Sequence, residues 1–244
     1  MADLLPPVDE DWHRALAVVA HPDDLEYGVA SAIARWTAQG KDVRYLLVSR
    51  GEAGIADRPP AEVGPLRVEE QRASAAAVGV EVVEFLDHPD GTIVADLGLR
   101  RDLAGAIRRH RPEVVISVNF RTTWGPGSPW NHADHRAVGV ALIDAARDAD
   151  NRWVFPGLLD EGLEPWGGLR FLAFGGSTRP SHAVDITTTL ERGIESLRCH
   201  ATYLAALDPG TAGRDPTAFL REAATTAGPS LGVALATTFE VIPV

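Results

Sequence analysis

Short apolar runs alternate with longer amphipathic stretches along this chain, and the alternation sets the fold expectation. Ala15-Leu16-Ala17-Val18-Val19 is apolar without interruption and predicts a buried strand. From Leu25 to Gln39 the spacing of Ala30, Ile33, Ala34 and Trp36 is helical, and Gly40 supplies a stop. Val43 to Val48 predicts a second strand, Leu66 to Ala77 a second helix, and Val80 to Leu86 a third, half-exposed strand. A helix over Leu97 to His110 closes at Pro112, Val114 to Val118 reads as a buried fourth strand, and Asp134 to Ala149 as the next helix. Strand, helix, strand repeated in this order calls for parallel crossovers. The expected class is therefore α/β: a Rossmann-like, mostly parallel sheet with helices on both faces and the active site at the carboxyl ends of the strands.

Beyond Asp150 the period loosens around Trp153, Pro156, Pro165 and Trp166. Leu169 to Phe174 predicts a strand, His182 to Thr187 an extended segment, Leu190 to Leu207 a helix with Leu190, Ile194, Leu197, Ala201 and Leu204 on one face, and Gly232 to Val244 a last strand. Residues 15–150 are expected to form the core and 151–244 to complete it, making 1–244 a single domain. Two long loops, Arg50 to Pro65 and Asn119 to Asn131, fall at carboxyl ends of strands, where loops of such length are usually functional.

Composition narrows the function classes. Hydrophobic residues at 45% and charged residues at 23% fit a soluble globular chain. A net charge of −11 offers no electrostatic footprint for nucleic acid. The single cysteine, Cys199, excludes an internal disulfide and points to a reducing compartment, so a cytoplasmic location is expected. No apolar run approaches the ~18 residues of a membrane span, and Met1 to Arg14 lacks the basic-then-apolar order of a secretory signal. Nothing in the composition opposes a homo-oligomer.

Chemistry concentrates in two turns. His21-Pro22-Asp23-Asp24 follows the first strand, and His132-Ala133-Asp134-His135 follows the fourth. Either alone reads more simply as a capped helix start, since Asp accepts hydrogen bonds from free amides there. As a pair they offer His and carboxylate donors of the kind that hold catalytic zinc through three ligands and leave a position for water. Carboxyl ends of strands in one parallel sheet bring distant turns into a common pocket.

In this order and at these positions the motifs resemble the LmbE-like, or PIG-L type, N-acetylglucosaminyl deacetylases. The resemblance is carried by Ala20-His21-Pro22-Asp23-Asp24, Gly51-Glu52-Ala53-Gly54, Arg67 with Glu70, Asp90-Gly91, His132-Ala133-Asp134-His135-Arg136 and Val184-Asp185-Ile186. It implies a zinc-dependent hydrolase that removes an N-acyl group, N-acetyl above all, from an amino sugar or sugar-bearing natural product. It further implies zinc ligands His21, Asp24 and His135, with iron an alternative metal for such a donor set. Asp23 would be the general base, and His132, held charged by Asp134, would stabilise the oxyanion. Arg67, Asp90, Glu52 and Trp130 would contact substrate.

Three departures bear on that reading. Trp130 stands where the family often has tyrosine, and indole has no hydroxyl to polarise a carbonyl. Ala133 replaces a usual proline, and His200-Ala201-Thr202-Tyr203 replaces a common His-x-Ser-Gln pattern, leaving His200 either a pocket residue or an ordinary helix histidine. His88-Pro89-Asp90 imitates the first motif without its second Asp and reads as a substrate-side loop. The stretches Trp124 to Trp130 and Trp153 to Trp166 suit either an apolar wall for an acyl or aromatic group or tryptophans packed under loops. Alternatives are an amidase of a sugar-thiol conjugate and a metal-retaining protein without activity. A dinucleotide-binding fold is disfavoured because His-Pro-Asp-Asp stands where Gly-x-Gly-x-x-Gly is needed.

Overall fold

The computed structural model describes residues 4–207 and 215–244. Its strands are β1 (Arg14–Val19), β2 (Asp42–Leu47), β3 (Val83–Phe85), β4 (Val114–Val118), β5 (Phe171–Gly175), β6 (His182–Asp185) and β7 (Ala236–Pro243). They form one sheet in the order β3-β2-β1-β4-β5-β7-β6. Neighbours from β3 through β5 are parallel, while β7 runs antiparallel to both β5 and β6. The chain builds outward from β1 to β2 and β3, then returns to lay β4 on the other side of β1. That reversal is the topological switch point of a doubly wound sheet, where ligands bind beyond the carboxyl ends.

The helices are α1 (Ala30–Ala38), α2 (Pro60–Ala77), α3 (Leu97–His110), α4 (Ala133–Asp148), α5 (Gly157–Asp160), α6 (Leu190–Arg198), α7 (Ala201–Ala206) and α8 (Pro216–Leu231). Strand alternation sorts the core into two layers. Ala15, Ala17 and Val19 of β1 face Ile33 and Trp36 of α1 and Ile194 and Leu197 of α6. Leu16 and Val18 face Leu103 and Ile107 of α3 and Leu142 of α4. With both faces covered, β1 and β4 are buried almost throughout, which is why they read as nearly continuous apolar runs.

Boundaries differ from expectation where local hydrogen bonding overrides spacing. The first helix begins at Ala30, not Leu25, because Pro22 to Val29 is a series of turns closed by Glu26 N–H to Asp23 O at 3.0 Å and Val29 N–H to Leu25 O at 2.7 Å. The loop expected to reach Pro65 ends at Pro59. Pro60 opens α2, where its missing N–H costs nothing, and Pro65 lies inside the helix. The helix expected over 190–207 breaks between α6 and α7 at Cys199 and His200. The final strand is shorter than expected, and α8, which packs on β7, had no counterpart in the sequence reading. Trp166 donates its indole N–H to Pro112 O at 2.7 Å, at the amino end of β4, so the 153–166 segment lies away from the carboxyl-end site.

Candidate metal centre and catalytic pocket

Because β1 and β4 are neighbours, the turns that follow them meet. His21, Asp24 and His135 each bring one donor atom to a cluster within 4.8 Å. His21 Nδ1 lies 3.6 Å from Asp24 Oδ2, and His135 Nε2 lies 2.8 Å from Asp24 Oδ1. The far nitrogen of each imidazole is committed elsewhere. His21 Nε2 sits 3.0 Å from both Asp134 Oδ2 and Asp90 Oδ1, which in their ionised form only accept, so Nε2 carries hydrogen and Nδ1 is the nitrogen that faces Asp24 and would give its lone pair to a metal on losing its proton. His135 Nδ1 donates to Asn131 Oδ1 at 2.9 Å. The amide cannot be flipped, because Asn131 Nδ2 already donates to the carbonyls of Asn119 and Arg121. Both imidazoles are thus oriented by partners on their outer nitrogens, as residues that could hold a metal are.

A second grouping, His21 with His132 and Asp134, is also compact. The Asp134 carboxylate, however, takes the Gly91 N–H at 2.8 Å and the Ile93 N–H at 3.1 Å besides His21 Nε2, leaving it little capacity for an ion. Two nitrogens and a carboxylate oxygen are the donor chemistry of catalytic zinc sites, and His21, Asp24 and His135 fit it. Electrostatics agree with a cation-ready site. Burial would raise the Asp24 carboxyl, yet His135 and His21 hold it well below the usual carboxylate range. Burial disfavours the His21 cation, yet Asp24, Asp134 and Asp90 push it up to about 12.

Asp23 stands beside this cluster, buried, with φ of 81°, a left-handed conformation that costs a non-glycine residue about 1–2 kcal/mol. Arg67 Nη2 donates to Asp23 Oδ1 at 2.8 Å and to the Pro22 carbonyl. Burial raises the Asp23 carboxyl to about 6, against the pull of Arg67. Arg67, only 2% exposed, is stacked 3.6 Å from the centre of the Tyr203 ring. Gly54 closes over it, and a Cβ there would lie 2.6 Å from Arg67 Nη1.

These groups line a cleft of about 340 Å³ together with Tyr27, Ala53, Gly54, Asp90, Gly91, His132 and Tyr203. That is near the small end of ligand pockets. Several expected partners take different places. Asp134 Oδ1 lies 4.0 Å from His132 Nδ1, beyond hydrogen-bond distance, while the carboxylate takes His21 Nε2 and two backbone amides. His132 Nδ1 instead accepts the Asp134 N–H at 3.2 Å, and burial together with neighbouring His21 lowers its pKa, so a neutral ring presents Nε2–H. Asp90 holds His21 and takes the Ala53 N–H at 2.8 Å, while Glu52 braces the same loop by accepting the Asp90 N–H at 2.9 Å. Trp130 is 75% exposed and outside the lining; it is Trp124 that meets His135, edge-on at 6.1 Å.

Tyr27 and Tyr203 were missed by sequence reasoning, since each looks like an ordinary helix-face aromatic. Burial, with Asp23 close by, raises both phenols and keeps them as hydroxyl donors. His200 lies beneath the pocket, fully buried, 3.9 Å from Glu26.

A doubly wound sheet with one preset His/Asp centre beside a buried carboxylate defines a metal-dependent hydrolase. The chain belongs to the PIG-L family, whose model, described as GlcNAc-PI de-N-acetylase, matches residues 16–146. A diacetylchitobiose deacetylase of Thermococcus kodakarensis is 30% identical over 193 residues, covering 78% of this chain and 70% of the relative. A 1D-myo-inositol 2-acetamido-2-deoxy-alpha-D-glucopyranoside deacetylase of Mycobacteroides abscessus is 28% identical over 240 residues, covering 81% and 84%. Among solved structures, the N,N'-diacetylchitobiose deacetylase of Pyrococcus horikoshii, in complex with an inhibitor, superimposes with a TM-score of 0.85 at 26% identity over 96% of this chain and 85% of that one.

Proposed function

We propose that this protein hydrolyses the N-acetyl group of an amino sugar or a small sugar-bearing compound, with zinc held by His21, Asp24 and His135. The observation that carries the reading is the pair of imidazoles fixed by outer-nitrogen partners around Asp24, with a separately held carboxylate, Asp23, next to them. When bound there, zinc supplies a Lewis acid that polarises an amide carbonyl and makes water acidic near neutral pH.

The chain's own groups supply the rest. Asp23 Oδ1 is engaged by Arg67, which leaves Oδ2 to take a proton from the attacking water and return it to the departing amine. A carboxyl at about 6 is ionised at neutral pH and still acidic enough for the return step. His132 Nε2–H, on the rim, donates to the carbonyl oxygen as charge builds on it. Asp134, Asp90 and Asn131 hold the ligands, and Glu52 steadies the Asp90 loop. The small cleft, with charged and hydroxyl-bearing side chains around it, suits a sugar better than a lipid. Trp124, partly exposed beside His135, offers a face for a sugar ring to stack on. A reducing cytoplasm suits the one free cysteine, and no helix among the described residues is long and apolar enough to cross a membrane.

The test is acetate release from N,N'-diacetylchitobiose together with metal content. One zinc per chain and measurable turnover are expected. Asp23→Asn should keep the metal and lose ~10²–10⁴-fold in kcat. Near-wild-type turnover in that variant removes Asp23 from the mechanism. Stoichiometric metal without acetate release from any N-acetylated sugar points instead to a binding protein. Higher turnover with iron than with zinc reassigns the metal.

A further inference from the structure

The buried amide of Asp23 is held by a residue that does not line the pocket. Gln71, on α2, is 1% exposed and absent from the cleft lining. Its Oε1 accepts the Asp23 N–H at 3.0 Å. A backbone N–H can only donate, so the Gln71 carbonyl must face it and the amide nitrogen must point the other way. There Nε2 donates to Glu26 Oε1 at 2.9 Å, and the same oxygen takes the Ser74 hydroxyl at 2.5 Å. Ser74 is in turn tied to Ser196 of α6 at 2.6 Å. Glu26, Ser74 and Ser196 are all buried, so a buried polar chain leads from the packed helices to one amide.

We propose that Gln71 is a positioning residue for the reaction, which holds Asp23 in its left-handed conformation and so keeps the free carboxylate oxygen aimed at the substrate. The inference rests on Asp23 being the base. Four restraints converge on that residue: Arg67 on the side chain, Arg67 on the preceding carbonyl, Gln71 on the amide, and the Glu26 N–H on the Asp23 carbonyl. Arg67 and Gln71 grip the two ends of one planar peptide unit, Pro22 C=O and Asp23 N–H, and Gln71 supplies the acceptor for the buried amide on the side where φ is set. Without an acceptor this buried amide would have to turn elsewhere, and the carboxylate would turn with it.

The experiment uses the zinc-loaded full chain with N,N'-diacetylchitobiose. Gln71→Met keeps the volume and removes both hydrogen bonds. It should lower kcat by ~10–100-fold, the range typical of lost outer-shell support, with KM and zinc stoichiometry unchanged. Amide hydrogen exchange at Asp23 should accelerate in the same variant. In the Asp23→Asn background the substitution should cost nothing further, since its effect passes through the carboxylate. The exchanged pair Gln71→Glu with Glu26→Gln restores an acceptor for Asp23 N–H and a donor facing it, and should recover most of the lost kcat. Full activity in Gln71→Met, with Asp23→Asn inactive, overturns this inference alone. An equal loss in the Asp23→Asn background shows a merely structural role and also overturns it. Full activity in Asp23→Asn overturns the base assignment first. If Gln71→Met does not fold, the exchanged pair decides: kcat near wild type supports the inference, and a loss like that of Asp23→Asn overturns it.

Discussion

At the scale of single residues, the two His/Asp turns were legible because each is continuous in sequence and its chemistry is carried by residue type. The supporting groups were not. Asn131, Gln71 and Tyr203 look like loop or helix-face residues until topology aims them at the site. Asn131 makes the distinction measurable: removing its oxygen frees the His135 ring without touching a ligand atom. Asn131→Ala should weaken zinc binding by ~10–100-fold in competition with a chelator. The acid limb of kcat/KM gives a second check. Asp23 must be ionised to accept a proton, and burial has raised it from 3.8 to about 6, so activity should fall tenfold per pH unit below about 6 and not below 4. Zinc binding to the metal-free chain should be opposed by protons in the same sense. His21, charged at neutral pH in the metal-free chain, must release the Nδ1 proton, so affinity should rise with pH, and calorimetry in buffers of different ionisation enthalpy should detect the released proton.

Elements were read well where an apolar run is long and buried on both sides, as in β1 and β4, and less well where hydrogen bonding sets the limits. Helix α8 shows the difference. Asp215 caps it by accepting the Thr217 N–H at 2.9 Å, Pro216 opens it and Gly232 at φ of 75° closes it, all signals present in the sequence. Its Ala- and Thr-rich body carries no broad apolar stripe, so periodicity alone passed over it. The break between α6 and α7 was equally hidden, because Leu190 to Leu204 keeps its period across Cys199 and His200. Contact between α1 and α6 depends on a missing side chain: a Cβ on Gly193 would lie 2.0 Å from Ser31 Oγ and 2.8 Å from Ser31 N. Gly193→Ala should therefore destabilise the fold by ~1–3 kcal/mol, read as a lower urea midpoint with an unchanged m-value.

For the whole molecule, the decisive fact is that β1 and β4 are adjacent in the sheet although α1 to α3 lie between them in the chain. A ligand bound by both turns is bound only by the folded state, so excess zinc at ~100 times its Kd should add about 2.7 kcal/mol. That corresponds to a rise in Tm of ~5–10 °C for a chain of this size. The same adjacency orders events during synthesis. A nascent chain emerging from the ribosome carries His21 and Asp24 early, but His135 follows only after β4 has been made. Until then it would hold two of the three proposed ligands, so metal capture should wait for the second half of translation. A zinc pulse given to ribosome-bound chains should label those released past α4 and leave shorter ones empty.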